Sequence, residues 1–299
     1  MIWVQTSKYT SHIGTSWDNV EFTTAPNAGG TALQAWVETN ATSSALETLV
    51  WVNLPTSLAP SVPTTIYMNF MPSSVLSSSG PTGEAPQLSS SYGQYDNGAK
   101  VFMDYQEWGG LSSLPSGWSN AGASISYSAT YTTITGNGNA WASVYESTPS
   151  NLLSFPTIYD VYANIGSGSS TSGLPGLIYS ACTSNAGCSC AAEIRGGVAG
   201  TSKLSITTQT CGSNPSSSTT VVNNPEVYSI AAISSTSAEF IYNYNNLIGP
   251  TTVASSAYTY ITLDAVESGP YDPAIIYWSR GRQYPPKGVM PTVSFGSVS

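Results

Sequence analysis

Apolar positions along this chain fall in short alternating or continuous runs, without the three-and-four spacing of helices. Thr48 to Asn53, Thr64 to Phe70, Ala142 to Tyr145 and Thr157 to Ala163 read as strands. So do Glu226 to Ile233, Glu239 to Tyr244, Tyr258 to Leu263 and Ile275 to Trp278. Clusters of Gly, Pro, Asn and Ser separate them, the residues that turn chemistry demands. Many short strands at roughly regular spacing predict an all-β protein, a β-sandwich or jelly roll.

Composition shifts between Pro72 and Ser91, where Ser73-Ser74 and Ser77-Ser78-Ser79-Gly80-Pro81 read as a loop or linker. This predicts a boundary near residue 90, with a smaller β domain over 1–90 and the larger sandwich over 91–299. Gly166 to Gly173 and Ser213 to Thr220 read as strand connections. Towards the end, Ala274 to Arg280 alternates like a strand until Tyr284-Pro285-Pro286-Lys287-Gly288 breaks it. Val289 to Phe295 then adds a short extended tail. No internal repeat is visible.

Charged residues make up 8% of the 299, against about 25% in ordinary domains. Low charge with few aromatics would signal disorder. Here 19 Tyr and 8 Trp supply large apolar area and favour strands, so the chain folds beneath a hydroxyl-rich surface. A net charge of −9 with only seven Lys and Arg leaves no cationic stripe for nucleic acid. It also opposes binding to an anionic membrane. No apolar run spans a bilayer, and Met1-Ile2-Trp3-Val4-Gln5 lacks the features of a signal peptide. The expectation is delivery outside the cytoplasm after loss of a signal or anchor, or by another route such as a virion.

Cysteine usage points to the same compartment. Cys182, Cys188, Cys190 and Cys211 form an even, clustered set, which reads as disulfides in an oxidising environment. Leu177 to Cys182 and Cys190 to Ile194 read as a hairpin. Cys182–Cys188 would staple it, and Cys190–Cys211 would tie it to the next strand. Each bond would contribute about 2–4 kcal/mol. The rival reading is zinc, whose common ligand spacings this set does not match.

Thr48-Leu49-Val50-Trp51-Val52-Asn53-Leu54-Pro55, followed by Thr64-Thr65-Ile66-Tyr67-Met68-Asn69-Phe70, resembles a domain of unknown function common in archaeal and some bacterial surface proteins. In that family a concanavalin A-like lectin/glucanase domain of LamG type usually follows. Gly83 to Leu88, Tyr95 to Phe102, Trp278 to Pro286 and Met290 to Gly296 are similar to the junction and end of such proteins. The resemblance implies a concanavalin A-like jelly roll after the smaller β domain, and an extracellular surface role. Strands upstream in the family look shortened here. That would leave a sheet edge open to strand addition by another subunit.

Glucanases of this architecture that resemble laminarinases carry Glu-x-Asp-x-x-Glu on one strand, which alternation brings to one face. The nearest match is Thr262-Leu263-Asp264-Ala265-Val266-Glu267, with Thr262 in the nucleophile position. Thr cannot serve as that carboxylate, so no catalytic residue is assigned. The single histidine, His12, has no nucleophile elbow to serve and reads as structural. Asp96-Asn97-Gly98 reads as a tight turn. Calcium on scattered loop oxygens is compatible with the chain but not indicated, and no cofactor or metal is assigned.

The binding candidates are aromatic. Trp141, Ser143 and Tyr145 alternate onto one strand face, while Ala142 and Val144 face the core. Trp108 and Trp118 stand among Gly and Ser and are expected to be partly exposed. Such rings suit sugar stacking. Trp278 and Arg280 share a face and suit a cation–π pair as well as a ligand site. Asn40-Ala41-Thr42 is the one permitted N-glycosylation triplet. The expected function is a non-catalytic extracellular module on a cell or virion surface that binds carbohydrate or a surface glycoprotein. The alternative is a structural subunit assembled through edge strands.

Overall fold

A computed structural model describes residues 1–59, 62–136, 142–146, 156–164, 176–180, 191–195, 203–209, 218–220, 225–234, 236–252, 260–265, 273–285 and 288–296. Strands dominate, and the single α-helix among the described residues is four residues long. The chain divides into two compact units, residues 1–102 with 285–299, and residues 103–284.

In the first unit, β1 (Ile2–Val4), β2 (Val20–Thr23), β3 (Ala35–Thr39), β4 (Thr48–Val52), β5 (Tyr67–Phe70) and β6 (Thr82–Glu84) form two layers. One is a sheet in the order β1-β4-β3-β6, the other the ribbon β2-β5. Alternation sends Val4, Ala35, Val37 and Val50 inward. There they meet Val20, Phe22, Tyr9, Ile13 and Trp17 in one core. The opposite face of the sheet carries Trp36 and Trp51, and Phe102 sets its ring edge-on to both. Each indole N–H finds a carboxylate: Trp36 donates to Asp96 and Trp51 to Glu38. Asp96 also accepts from the Gly98 amide at the start of the short helix α1 (Gly98–Val101), so Asp96-Asn97-Gly98 is a turn that closes on the protein itself.

The stretch 72–91 contributes β6, which pairs parallel with β3. The C-terminal segment returns to this unit, where Phe295 packs on Tyr9.

The second unit begins with β7 (Asp104–Glu107), β8 (Trp118–Ala121), β9 (Ser124–Tyr127), β10 (Thr132–Thr135), β11 (Ala142–Glu146) and β12 (Thr157–Asn164). It continues with β13 (Gly176–Ser180), β14 (Ala191–Arg195), β15 (Lys203–Gln209) and β16 (Ser218–Thr220). The last five are β17 (Glu226–Ser234), β18 (Ser237–Tyr242), β19 (Asn245–Thr252), β20 (Tyr260–Ala265) and β21 (Ala274–Gln283). One sheet runs β19-β18-β17-β12-β21-β10-β9, with β7 also on β21. The other runs β16-β15-β14-β13-β20-β11-β8.

All these pairings are antiparallel, and Ile134, Val161, Ile230, Phe240 and Ile276 of one sheet share a core with Val144, Ile261 and Leu263 of the other. The fold is therefore an all-β sandwich with a smaller β unit before it, the class that the strand pattern predicts.

On the far side of the first of these sheets lies a buried ionic cluster. Asp160 on β12 receives Arg280 Nε at 2.8 Å and Arg282 Nε at 2.7 Å, both from β21. Arg280 also donates to the Tyr244 hydroxyl. Burial alone would raise the Asp160 pKa, but the Arg282 and Arg280 charges outweigh it and pull it to about 2. The Arg280 guanidinium lies 4.7 Å from the Trp278 ring centre, which makes the cation–π pair.

Candidate functional site

The first unit carries an open groove of about 680 Å³ at the β1 edge of its sheet. Its geometry follows from Ile2-Trp3-Val4. Val4 is fully buried in the core, so Trp3, one residue earlier, faces the other way and is 41% exposed. Gln5 and Ser7 follow on the chain, and Asn40, Thr42 and Glu47 reach in from the β3–β4 connection.

That connection is clamped at both ends. The Thr48 hydroxyl donates to the Asn40 carbonyl at 2.8 Å. With that proton committed, the Thr6 hydroxyl donates to Thr48 Oγ1 at 2.7 Å, and both threonines are buried. The Ser7 amide reaches the Leu46 carbonyl at 3.5 Å. Asn40 turns the chain at φ +55°, a region Asn tolerates better than most residues. Leu46, 78% exposed, stands at the rim. The groove is thus lined by one part-exposed indole, two carboxamides, two hydroxyls and a single charge, Glu47. That set matches a neutral polyhydroxylated ring: apolar C–H faces for the indole, hydroxyls for the amides and carboxylate.

Of the residues that the sequence singles out, Asn40 lines this groove, whereas Trp108, Trp118 and Tyr145 lie in the second unit. Trp108 is fully buried, and its indole N–H donates to Ser279 Oγ at 2.9 Å. A ring in that place presents no face to a ligand; its Gly and Ser neighbours in sequence say nothing of the strand it packs beneath. Trp118 is half-buried, edge-on to Trp108 with ring centres 4.8 Å apart. Tyr145 is half-buried on β11, opposite Thr262 of β20. Trp141, Glu267 and all four cysteines lie outside the described residues. The hairpin expected around the cysteines forms, as β13 paired with β14. His12 is exposed and stacks on Phe70, ring centres 5.2 Å apart. Asn40 is exposed and lines the groove.

Sequence reasoning passed over Trp3, although its alternation with Val4 carries the signal. It also passed over a carboxyl pair in the second unit. Glu146 follows Val144 by two residues, so it leans to the interior side of its strand. Burial, then the nearby Asp104 charge, pushes its carboxyl up to about 7. Asp104 is itself raised by burial. No group of three or more His, Cys, Asp or Glu placed to hold a metal occurs among the described residues. No helix among them is long and apolar enough to cross a membrane.

No family model matches the chain. A curated protein of Sulfolobus islandicus rod-shaped virus 1, "Uncharacterized protein 562", is 40% identical over 75 residues. The match spans 25% of this chain and 13% of the relative's length. Among solved structures, the Crh5 transglycosylase without ligand overlays with TM-score 0.46 and 8% identity, covering 60% of this chain and 83% of that one. The carbohydrate recognition domain of Emp46p overlays with TM-score 0.42 and 12% identity, covering 58% and 90%. An endo-β-galactosidase from Clostridium perfringens that releases GlcNAcα1-4Gal overlays with TM-score 0.44 and 10% identity, covering 60% and 61%.

Proposed function

We propose that this protein is a non-catalytic, extracellular glycan-binding module, displayed on a cell or virion surface. The groove of the first unit carries the reading. An exposed Trp3 ring, bordered by Gln5, Asn40, Thr42 and Glu47, combines a stacking platform with amide, hydroxyl and carboxylate groups. The low charge and hydroxyl-rich composition support a role outside the cytoplasm. Hydrolysis is not part of the proposal, because Thr262 stands where a retaining glucanase of this architecture needs its nucleophile.

A panel of immobilised neutral and acidic oligosaccharides, read with the intact protein, tests the proposal. Neutral sugars should bind, and Trp3→Ala should weaken binding by about tenfold, the loss of ~1.4 kcal/mol of stacking. The circular dichroism spectrum should be unchanged, since Trp3 lies outside the core. No binding across the panel, or equal binding by the variant, would sink it.

A second reading, a subunit of an extracellular assembly, draws on β1, a three-residue strand that among the described strands stands at the end of its sheet, next to β4. Such an edge offers main-chain groups to another chain. Sedimentation at rising concentration should then show growing oligomers that Trp3→Pro abolishes; a constant monomer mass rejects this reading.

A further inference from the structure

Strand β9 ends its sheet with an edge that no other described strand covers. Its residues, Ser124-Ile125-Ser126-Tyr127, pair one for one with Thr135 to Thr132 of β10. The turn that joins the two strands fixes the phase of this ladder. There the Ser128 amide donates to the Tyr131 carbonyl at 2.9 Å. Main-chain bonds between antiparallel strands alternate, so Ser126 and Ser124 exchange theirs with Thr133 and Thr135. The amides and carbonyls of Ile125 and Tyr127 therefore point away from β10. Among the described residues no hydrogen bond reaches them.

Two other edges of this sheet are guarded, and β9 is not. Folded proteins blunt a free edge with charge, proline or a bulge. At the far end of the sheet, β19 carries Pro250 and two register shifts against β18. Strand β7 carries Asp104 and Glu107. In contrast, β9 holds unbroken register without proline, and no charged residue occurs from Trp108 to Tyr145.

Those features select the partner. At a net charge of −9, two copies of this chain repel over most approaches, but the stretch around β9 brings no charge to a contact. The strand also matches itself about Ser126. After a two-fold rotation, Ile125 of one copy lies opposite Tyr127 of the other, and Tyr127 opposite Ile125. These are the residues whose main-chain groups point outward, so each pair can exchange two bonds. Both side chains are half-buried, with Ile125 packed against the core. Each gains an aliphatic–aromatic neighbour across the axis, a pairing that stabilises sheets. The two Ser126 residues meet on the axis, on the exposed face.

We propose that β9 is a self-recognition edge, at which two copies of this protein pair antiparallel about Ser126 and continue one sheet across both. The contact lies in the second unit and depends neither on the groove nor on the β1 edge. Being two-fold, it closes on itself and makes a pair, not a filament.

Sedimentation equilibrium of the full chain tests it. Mass should rise from one copy to two between about 1 μM and about 1 mM, the range of a small interface. The rise should be equal in Trp3→Pro, which separates the pair from growth through β1. Ser126→Lys sets two ammonium groups face to face on the axis and should raise the dissociation constant at least about tenfold. Because Ser126 is exposed, the melting temperature of the dilute variant should hold. Ser126→Cys supplies the positive test. Residues facing each other at such a position lie about 4.5 Å apart between Cα atoms, within disulfide reach. Mild oxidation should link this variant into a covalent pair. It should leave the parent chain unlinked, and also Ser124→Cys, which faces Ser128 of the other copy. A single-copy mass at about 1 mM, unaltered association in Ser126→Lys, or equal cross-linking of Ser124→Cys overturns the inference, whatever the oligosaccharide panel shows.

Discussion

Two carboxyl groups set opposite pH responses. Asp160 is held at about 2 by Arg282 and Arg280, below its ordinary 3.8. Its contribution is fully present above about pH 4 and is lost as pH falls through 2. Removing it strands two buried guanidinium groups, so Asp160→Asn should cost about 3–5 kcal/mol. Glu146 works the other way. Its folded pKa, about 7 against 4.5, favours the protonated form. Stability is therefore greatest below about pH 4.5 and declines as pH rises through 7. Solvent screening of this partly exposed carboxyl holds the effect to about 1 kcal/mol. Thermal melts from pH 3 to 8 should show a maximum near pH 4–5. Glu146→Gln should flatten the neutral limb, and a limb that persists in the variant assigns the decline to other groups. At this scale the sequence is legible only where partners are near in the chain. Trp278 with Arg280 reads correctly from spacing. Asp160 stands 120 residues before Arg280, and no local pattern announces the pair.

Several of the longer apolar runs read correctly as strands, while β2, β3 and β10 went unread despite their buried positions. Thr48 to Asn53 became β4, Thr157 to Ala163 became β12, and Glu226 to Ile233 became β17, each within a residue or so at its ends. Hydroxyl-rich strands escaped, as with β9, Ser124–Tyr127, which alternates exposed and half-buried positions without a strong apolar face. Such strands exist because a neighbour pairs with them, and pairing leaves little mark in composition. Element fit is tight at β6. A methyl group on Gly83 would meet the Asn97 side chain at 2.3 Å and the Tyr95 carbonyl oxygen at 2.5 Å. That carbonyl cannot retreat freely, because it accepts the Glu84 amide at 3.0 Å. Gly83→Ala should destabilise the first unit by about 1–3 kcal/mol. Denaturant titration followed by Trp emission measures it, and an unchanged midpoint means that the turn at 95–97 yields.

The whole molecule is an all-β chain of two units, and its class follows from short runs, turn residues and aromatic content together. The candidate groove was not legible at that level. It needs the distant pieces 3–7 and 40–47 side by side, and the β1–β4 pairing supplies this. The placement of β21 has a further consequence. That strand lies at the centre of its sheet, paired along one side with β12 and along the other with β10 and then β7. During synthesis, residues 104–164 therefore wait for a partner encoded more than a hundred codons later. The other unit waits as well, for the returning segment around Phe295. The second unit cannot finish folding while β21 is still inside the ribosome, and a chain released before that strand emerges would expose raw sheet edges on β12, β10 and β7.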